Sequence, residues 1–135
     1  MEKISREVAQ AEVEKWLDYK RVNSKKRETY EDNIETLVES ITNGFLTLGE
    51  DHVFQHSLKF PITNSDGETT VSTLEYKPRI KVSEIQKYMQ GIKPTDGDGR
   101  VAGLIAALTG KTKAIVKDMD TEDYTISQAI AIFFL

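Results

Sequence analysis

The strongest constraint on this chain is a change of hydrophobic period close to residue 50. From there Phe54, His56, Leu58, Phe60 and Ile62 alternate with Gln55, Ser57 and Lys59. A period of two belongs to a strand with one covered face. Asn64-Ser65-Asp66-Gly67 follows as turn chemistry, with the glycine at a position that demands positive φ. The β-branched run Thr69 to Thr73, continued by Leu74 and Tyr76, then reads as the return strand. Pro61 and Pro78 mark an edge and a strand end, because proline cannot donate to a ladder. A two-stranded ribbon is marginal in water on its own, so its apolar face needs a cover.

Helical patterns on both sides of the ribbon can supply that cover. Ile4, Val8, Ala11, Val13, Trp16 and Leu17 recur at helical spacing, predicting a helix to about Val22. Asn23-Ser24 breaks it, and Ile34, Leu37, Val38, Ile41 and Phe45 predict a second helix, stopped by Asn43-Gly44. Beyond the ribbon, Ser83 is expected to cap a helix carrying Ile85, Tyr88 and Met89 that ends at Gly91 and Pro94. Thr95 to Gly99 reads as a flexible connector, followed by a helix with Val101, Leu104, Ile105 and Leu108 that stops at Gly110. A short helix through Ile115 and Val116 precedes a last one, which begins near Asp120 or Thr121 and presents Ile126, Ala129, Ile130, Phe133 and Phe134. The predicted fold is therefore α+β. Residues 1–50 form an N-terminal helical hairpin extension, and residues 51–135 form a β-hairpin packed on several short helices through Leu58, Phe60, Leu74, Leu104, Leu108 and Ile130.

A chain of 135 residues can bury a core without staples, and it must, since it has no cysteine for disulfides, thiolate metal sites or a thiol nucleophile. A net charge of −4 favours neither nucleic acid nor an anionic membrane. The N-terminal segment lacks the apolar centre of a signal peptide, and no apolar run approaches the roughly 20 residues of a membrane span. The expected location is the cytoplasm where the protein is made.

None of the chemical motifs assembles a catalytic, cofactor or metal site. Gly110-Lys111-Thr112 looks like the end of a phosphate loop, yet the upstream glycine position is Ile105 and the segment follows a helix, which reads as a helix C-cap. Asp96-Gly97-Asp98-Gly99 invites calcium, but the position of the closing glutamate is Ala107. His52 and His56 lie four apart beside Asp51 in a strand-like stretch with no third ligand, and read as solvated or partly packed histidines. Glu122 and Asp123 are adjacent and do not face one another on a helix, so they read as a helix start rather than an acid–base pair. Lys20, Arg21, Lys25, Lys26 and Arg27, flanked by Tyr19 and Tyr30, could touch phosphate, but Glu28, Glu31, Asp32 and Glu35 follow at once and imply a salt-bridged loop. No enzyme activity is expected. What remains is surface for partners: Phe133, Phe134 and Leu135 place bulky apolar groups where fraying is expected, and Trp16 and Tyr19 do so on the first helix. Docking of these side chains into the core is the alternative for each.

The succession from Phe54 to Leu135 resembles the small tail assembly chaperones of long-tailed bacteriophages. The resemblance rests on an apolar strand ending in proline, Leu58 to Pro61, then Asp66-Gly67, a second strand Val71 to Tyr76, and the basic-proline element Lys77-Pro78-Arg79. It continues through a helix ending in Leu108-Thr109-Gly110 and an acidic helix start, Asp120 to Asp123, ahead of Phe133 to Leu135. It leaves the first fifty residues outside. The resemblance implies a non-enzymatic protein of the host cytoplasm that holds the tape measure protein, a long hydrophobic helical chain, in soluble form while tail tube subunits polymerise around it. The tail tube protein and further copies of the chain itself are the other partners in view. A structural subunit of a phage tail or baseplate, located in the virion tail, is the alternative. A small regulatory or nucleic-acid-binding domain rests on the basic loop alone.

Overall fold

Ser5 starts the first helix, its hydroxyl accepting the Val8 N–H at 3.2 Å, so one orphan donor of the first turn is satisfied. The computed structural model describes residues 4–135. Helix α1 (Arg6–Tyr19) ends three residues short of the expected Val22, because Arg21 turns left-handed at φ 57°. Asn23 then caps a short helix α2 (Ser24–Thr29), and α3 (Glu31–Thr42) packs back on α1. The expected pair of N-terminal helices is present, with α2 built into its connection. The Asn43-Gly44 stop is where the sequence places it: Gly44 sits at φ 81°, and the N–H groups of Gly44 and Phe45 return to the carbonyls of Ile41 and Ser40.

Three strands form one antiparallel sheet in the order β1 (Leu46–Leu48), β2 (Phe54–Thr63), β3 (Thr69–Tyr76). The strand β1 was not expected from the sequence. It pairs Leu46 with His56 and Leu48 with Phe54, so the sheet runs through residue 50 rather than starting after it. Along β2 and β3, Ser57 faces Thr73 and the next pair is Ile62 with Val71, which leaves Leu58 to Pro61 opposite Ser72 alone. This wide bulge re-aims the strand. Phe60, expected in the core, is 54% exposed as a result, while Leu58 and Ile62 on either side of it stay buried.

The remaining helices are α4 (Val82–Met89), α5 (Gly97–Thr109), α6 (Lys113–Lys117) and α7 (Thr121–Ala131), followed by a 3₁₀ turn at Ile132–Phe134. Two expectations are corrected here. Ser83 does not cap α4, whose N-cap is Lys81 without a side-chain bond. Asp96 caps α5 by accepting the Gly99 N–H at 2.9 Å, so Gly97 to Gly99 are its first turn rather than a flexible connector. Gly110 ends α5 in the left-handed conformation, and Thr112 and Asp120 cap α6 and α7.

The architecture is α+β, with helices, a hairpin and further helices in the expected succession. One apolar cluster takes Trp16, Leu17, Leu37, Ile41 and Leu46 from the N-terminal part and Phe54, Leu74, Leu104, Leu108 and Ile130 from the rest. Its aromatic centre is Trp16, 4.9 Å from the Phe54 ring and 5.7 Å from Phe133 in an edge-on arrangement. Among the described residues no helix is long and apolar enough to cross a membrane.

Candidate partner-binding groove

The five residues expected at a partner surface separate into two groups. Trp16 and Phe133 belong to the core, 1% and 4% exposed, because the 3₁₀ turn folds the Phe133 ring between Trp16 and Tyr30. The surface reading of these two is corrected: an amphipathic helix followed by a tightening turn sends its last apolar ring inward. Tyr19 is exposed and stacks on the His52 ring at 4.0 Å, nearly parallel. Phe134 is half-buried beneath the Lys20 ammonium, which lies 3.3 Å from its ring centroid. Leu135 is 66% exposed.

Phe134 and Leu135 form one end of an apolar groove of about 410 Å³ whose walls are Ile85 and Met89 on α4 and Val101 and Leu104 on α5. The two walls stand close together because α5 offers Gly103 to α4. A Cβ at that position would lie 3.1 Å from the Tyr88 carbonyl and 3.3 Å from the Met89 sulfur. No residue of α4 is fully buried, so its apolar side is only half covered by the protein itself. A smaller hollow of about 270 Å³ continues past Leu135 toward Tyr30 and Ile132.

Cations surround this end of the molecule. Arg100 lines the groove, the Lys26 ammonium donates to the Leu135 carbonyl at 2.8 Å, and Lys20 donates to the Pro78 carbonyl at 3.2 Å. Burial, assisted by the neighbouring charges of Lys26 and Arg79, pushes the Lys20 ammonium down to about 8, against the pull of the Phe134 ring face for the charged form. The basic loop of the sequence is therefore only partly salt-bridged. Arg27 is engaged by Glu14 and Asp18 at 2.9 Å each, whereas Lys20 and Lys26 turn to the main-chain oxygens of Pro78 and Leu135.

The second polar feature is fully enclosed. His56 and Asp123 are both 0% exposed, which corrects the readings of a solvated or partly packed histidine at 56 and of an aspartate that only starts a helix. Asp123 Oδ1 accepts the Lys59 N–H at 2.8 Å and lies 3.1 Å from His56 Nε2, while Oδ2 accepts the Phe60 N–H at 3.0 Å. These two amides are donors that the β2 bulge takes out of the ladder. The acceptor-only carboxylate requires His56 Nε2 to carry the proton, so Nδ1 accepts from the Tyr76 hydroxyl at 2.9 Å, which in turn takes the Ser127 hydroxyl at 2.5 Å. Burial holds the His56 imidazole below its usual range, with Asp123 opposing, and pushes the Tyr76 phenol well above its own. The chain Asp123–His56–Tyr76–Ser127 has the residue types of a nucleophilic relay, but Ser127 is 0% exposed and its hydroxyl is committed to Tyr76. The network fastens α7 to the sheet and does not present a nucleophile to solvent.

The other motifs resolve into local structure. Gly110-Lys111-Thr112 is a helix C-cap followed by a helix N-cap, and Glu122 lies at the surface near Lys59 at 3.9 Å. No group of three or more metal-ligating side chains converges among the described residues. A cavity of about 390 Å³ lies on another face of α5, between Ala102, Met119 and Tyr124, and Asp96 at its mouth is occupied in capping α5. The groove and the network could have been approached from the sequence through the inward phase of His56 beside Phe54 and Leu58, and through the glycine in the middle of α5. Comparison of the chain with protein-family models, with curated proteins and with solved structures finds no match in any of the three.

Proposed function

We propose that this protein is a non-enzymatic tail assembly chaperone of a long-tailed bacteriophage, which binds an apolar helical stretch of the tape measure protein in the groove between α4 and α5. The observation that carries this reading is the groove itself: two adjacent helices leave Ile85, Met89 and Val101 half-covered above the buried Leu104, with Leu135 exposed at the groove's end. Grooves of this kind accept the spaced anchors of an amphipathic partner helix. The strand–turn–strand–helix succession from Phe54 onward, with its Lys77-Pro78-Arg79 and Leu108-Thr109-Gly110 elements, supports the family assignment. The chaperone works in the host cytoplasm and leaves the tail before it is complete.

Co-expression with a tape measure protein tests the reading. The expected result is a soluble complex that forms with the native chain, fails with Met89→Glu and Leu135→Glu, and is missing from purified virions. A tape measure protein that stays insoluble in the presence of the native chain overturns it. Recovery of the chain as a stoichiometric virion component replaces it with the structural-subunit reading.

A further inference from the structure

The groove has a sign as well as a shape. Arg100 lines it directly, Lys26 is anchored on the carbonyl of Leu135, and Lys20 is held over the Phe134 ring. Arg79 is near enough to Lys20 for the two charges to repel. Among the described residues Lys20, Arg79 and Arg100 take part in no ion pair with an acidic side chain, while the Lys26 ammonium is taken by the last main-chain oxygen of the sequence, that of Leu135. On the α4 wall the one acid, Glu84, is already bridged to Lys77 at 3.3 Å. Asp96 and Asp98 stand at the start of α5, where Asp96 is held by the Gly99 amide. A chain of net charge −4 therefore gathers cations around this half-covered apolar groove. Like charges held together cost free energy unless something of opposite sign covers them.

We propose that the groove takes an amphipathic helix with an acidic flank, its apolar stripe set between α4 and α5 and its carboxylates against Arg100, Lys26, Lys20 and Arg79. The proposal rests on the partner-groove reading above and names the chemistry of the segment bound. A helix fits because the walls are themselves helical, with Ile85 and Met89 four apart and Val101 and Leu104 three apart, so that their rows accept the ridges of a third helix. Nucleic acid fits less well. The floor between the cations is aliphatic, and Phe134, the one ring among the residues that line the groove, is already covered by Lys20 rather than open to a base.

The test uses the full chain and two synthetic helices of about 18 residues, ~27 Å long. Both carry leucine at the same helical spacing, one with glutamate and the other with lysine on the flanks. In fluorescence anisotropy the acidic helix is expected to bind at least about tenfold more tightly, a difference of ~1.4 kcal/mol, and to weaken as salt is raised. The double variant Lys26→Glu with Arg100→Glu should reverse the order of the two helices. Its unchanged circular dichroism and melting temperature would show that the fold is intact. Equal binding of the two helices, or none at about 1 mM, overturns the proposal. So does a single-stranded oligonucleotide that binds in place of the acidic helix and is lost in the double variant, or a sedimentation result in which a second copy occupies the groove and Leu135→Glu gives a monomer. A tape measure complex that survives the double variant refutes the acidic-flank proposal and leaves the chaperone reading standing. Binding of the acidic helix without any tape measure complex does the reverse.

Discussion

Three N–H groups converge on the Asp123 carboxylate, and two of them, from Lys59 and Phe60, exist as free donors only because β2 bulges there. Removing the carboxylate leaves all three buried or half-buried without partners, and each unsatisfied buried donor costs about 1–3 kcal/mol. Asp123→Ala is therefore expected to destabilise the protein by about 3–5 kcal/mol in urea denaturation, with Asp123→Asn intermediate because its amide keeps one acceptor oxygen. His56 adds a pH dependence whose sign follows from its lowered native pKa. The unfolded chain takes up a proton near pH 6.5 while the native imidazole does not, so stability falls as pH drops below about 6.5. His56→Gln should flatten that part of the profile between pH 7 and 5. An unchanged slope would place the acid sensitivity elsewhere. At this scale the sequence was half legible. The alternation put His56 on the inward face, but its partners lie 20 and 67 residues away, and no local pattern announces a tyrosine and an aspartate that only the fold brings together.

Elements were read well where a period had room to repeat and a cap marked the end. Helix α3 stops at Asn43-Gly44 and α5 at Gly110 as expected, because glycine tolerates the left-handed turn that closes a helix. Strand β1 escaped because three residues are too few to show a period of two, and its partner is chosen by the loop that follows. Phe60 departs for a related reason: four residues of β2 oppose one of β3, and inside the bulge the alternation lapses, to resume in the same phase at Ile62. The closeness of α4 and α5 carries a prediction of its own. Gly103→Leu must push Tyr88 and Met89 aside, since even a Cβ would sit 3.1 Å from a backbone oxygen. It should cost about 1–3 kcal/mol and speed hydrogen exchange selectively in Val82–Met89. Gly103→Ala should cost much less, because alanine regains up to about 1 kcal/mol of helix propensity. Uniform protection of α4 in Gly103→Leu would mean that the groove does not depend on this approach.

At the scale of the whole molecule, composition and period anticipated an α+β fold, and Leu58, Leu74, Leu104, Leu108 and Ile130 are buried as the sequence implied. What the sequence did not show is how the first fifty residues meet the last ones. Charge and period describe each stretch separately, whereas Trp16 packs on Phe54 and Phe133, and Leu46 joins the sheet of β2. The candidate site was legible to the same extent. Phe134 and Leu135 line the groove, but its walls come from α4 and α5, whose half-buried apolar side chains resemble ordinary core positions until the packing is known. The shared core predicts one cooperative transition. Trp16 is the single tryptophan, so its fluorescence reports the N-terminal contribution while far-ultraviolet circular dichroism reports all the helices. The two curves should coincide in urea, as expected for a two-state domain. Trp16→Ala should shift both by about 3–5 kcal/mol. Deletion of residues 1–48 should then leave no folded remainder, because it strips Trp16, Leu17, Leu37, Ile41 and Leu46 from the cluster that covers Phe54. A truncated chain that keeps a sigmoidal transition at the native midpoint would show that residues 51–135 fold without them and that the N-terminal helices are an appendage.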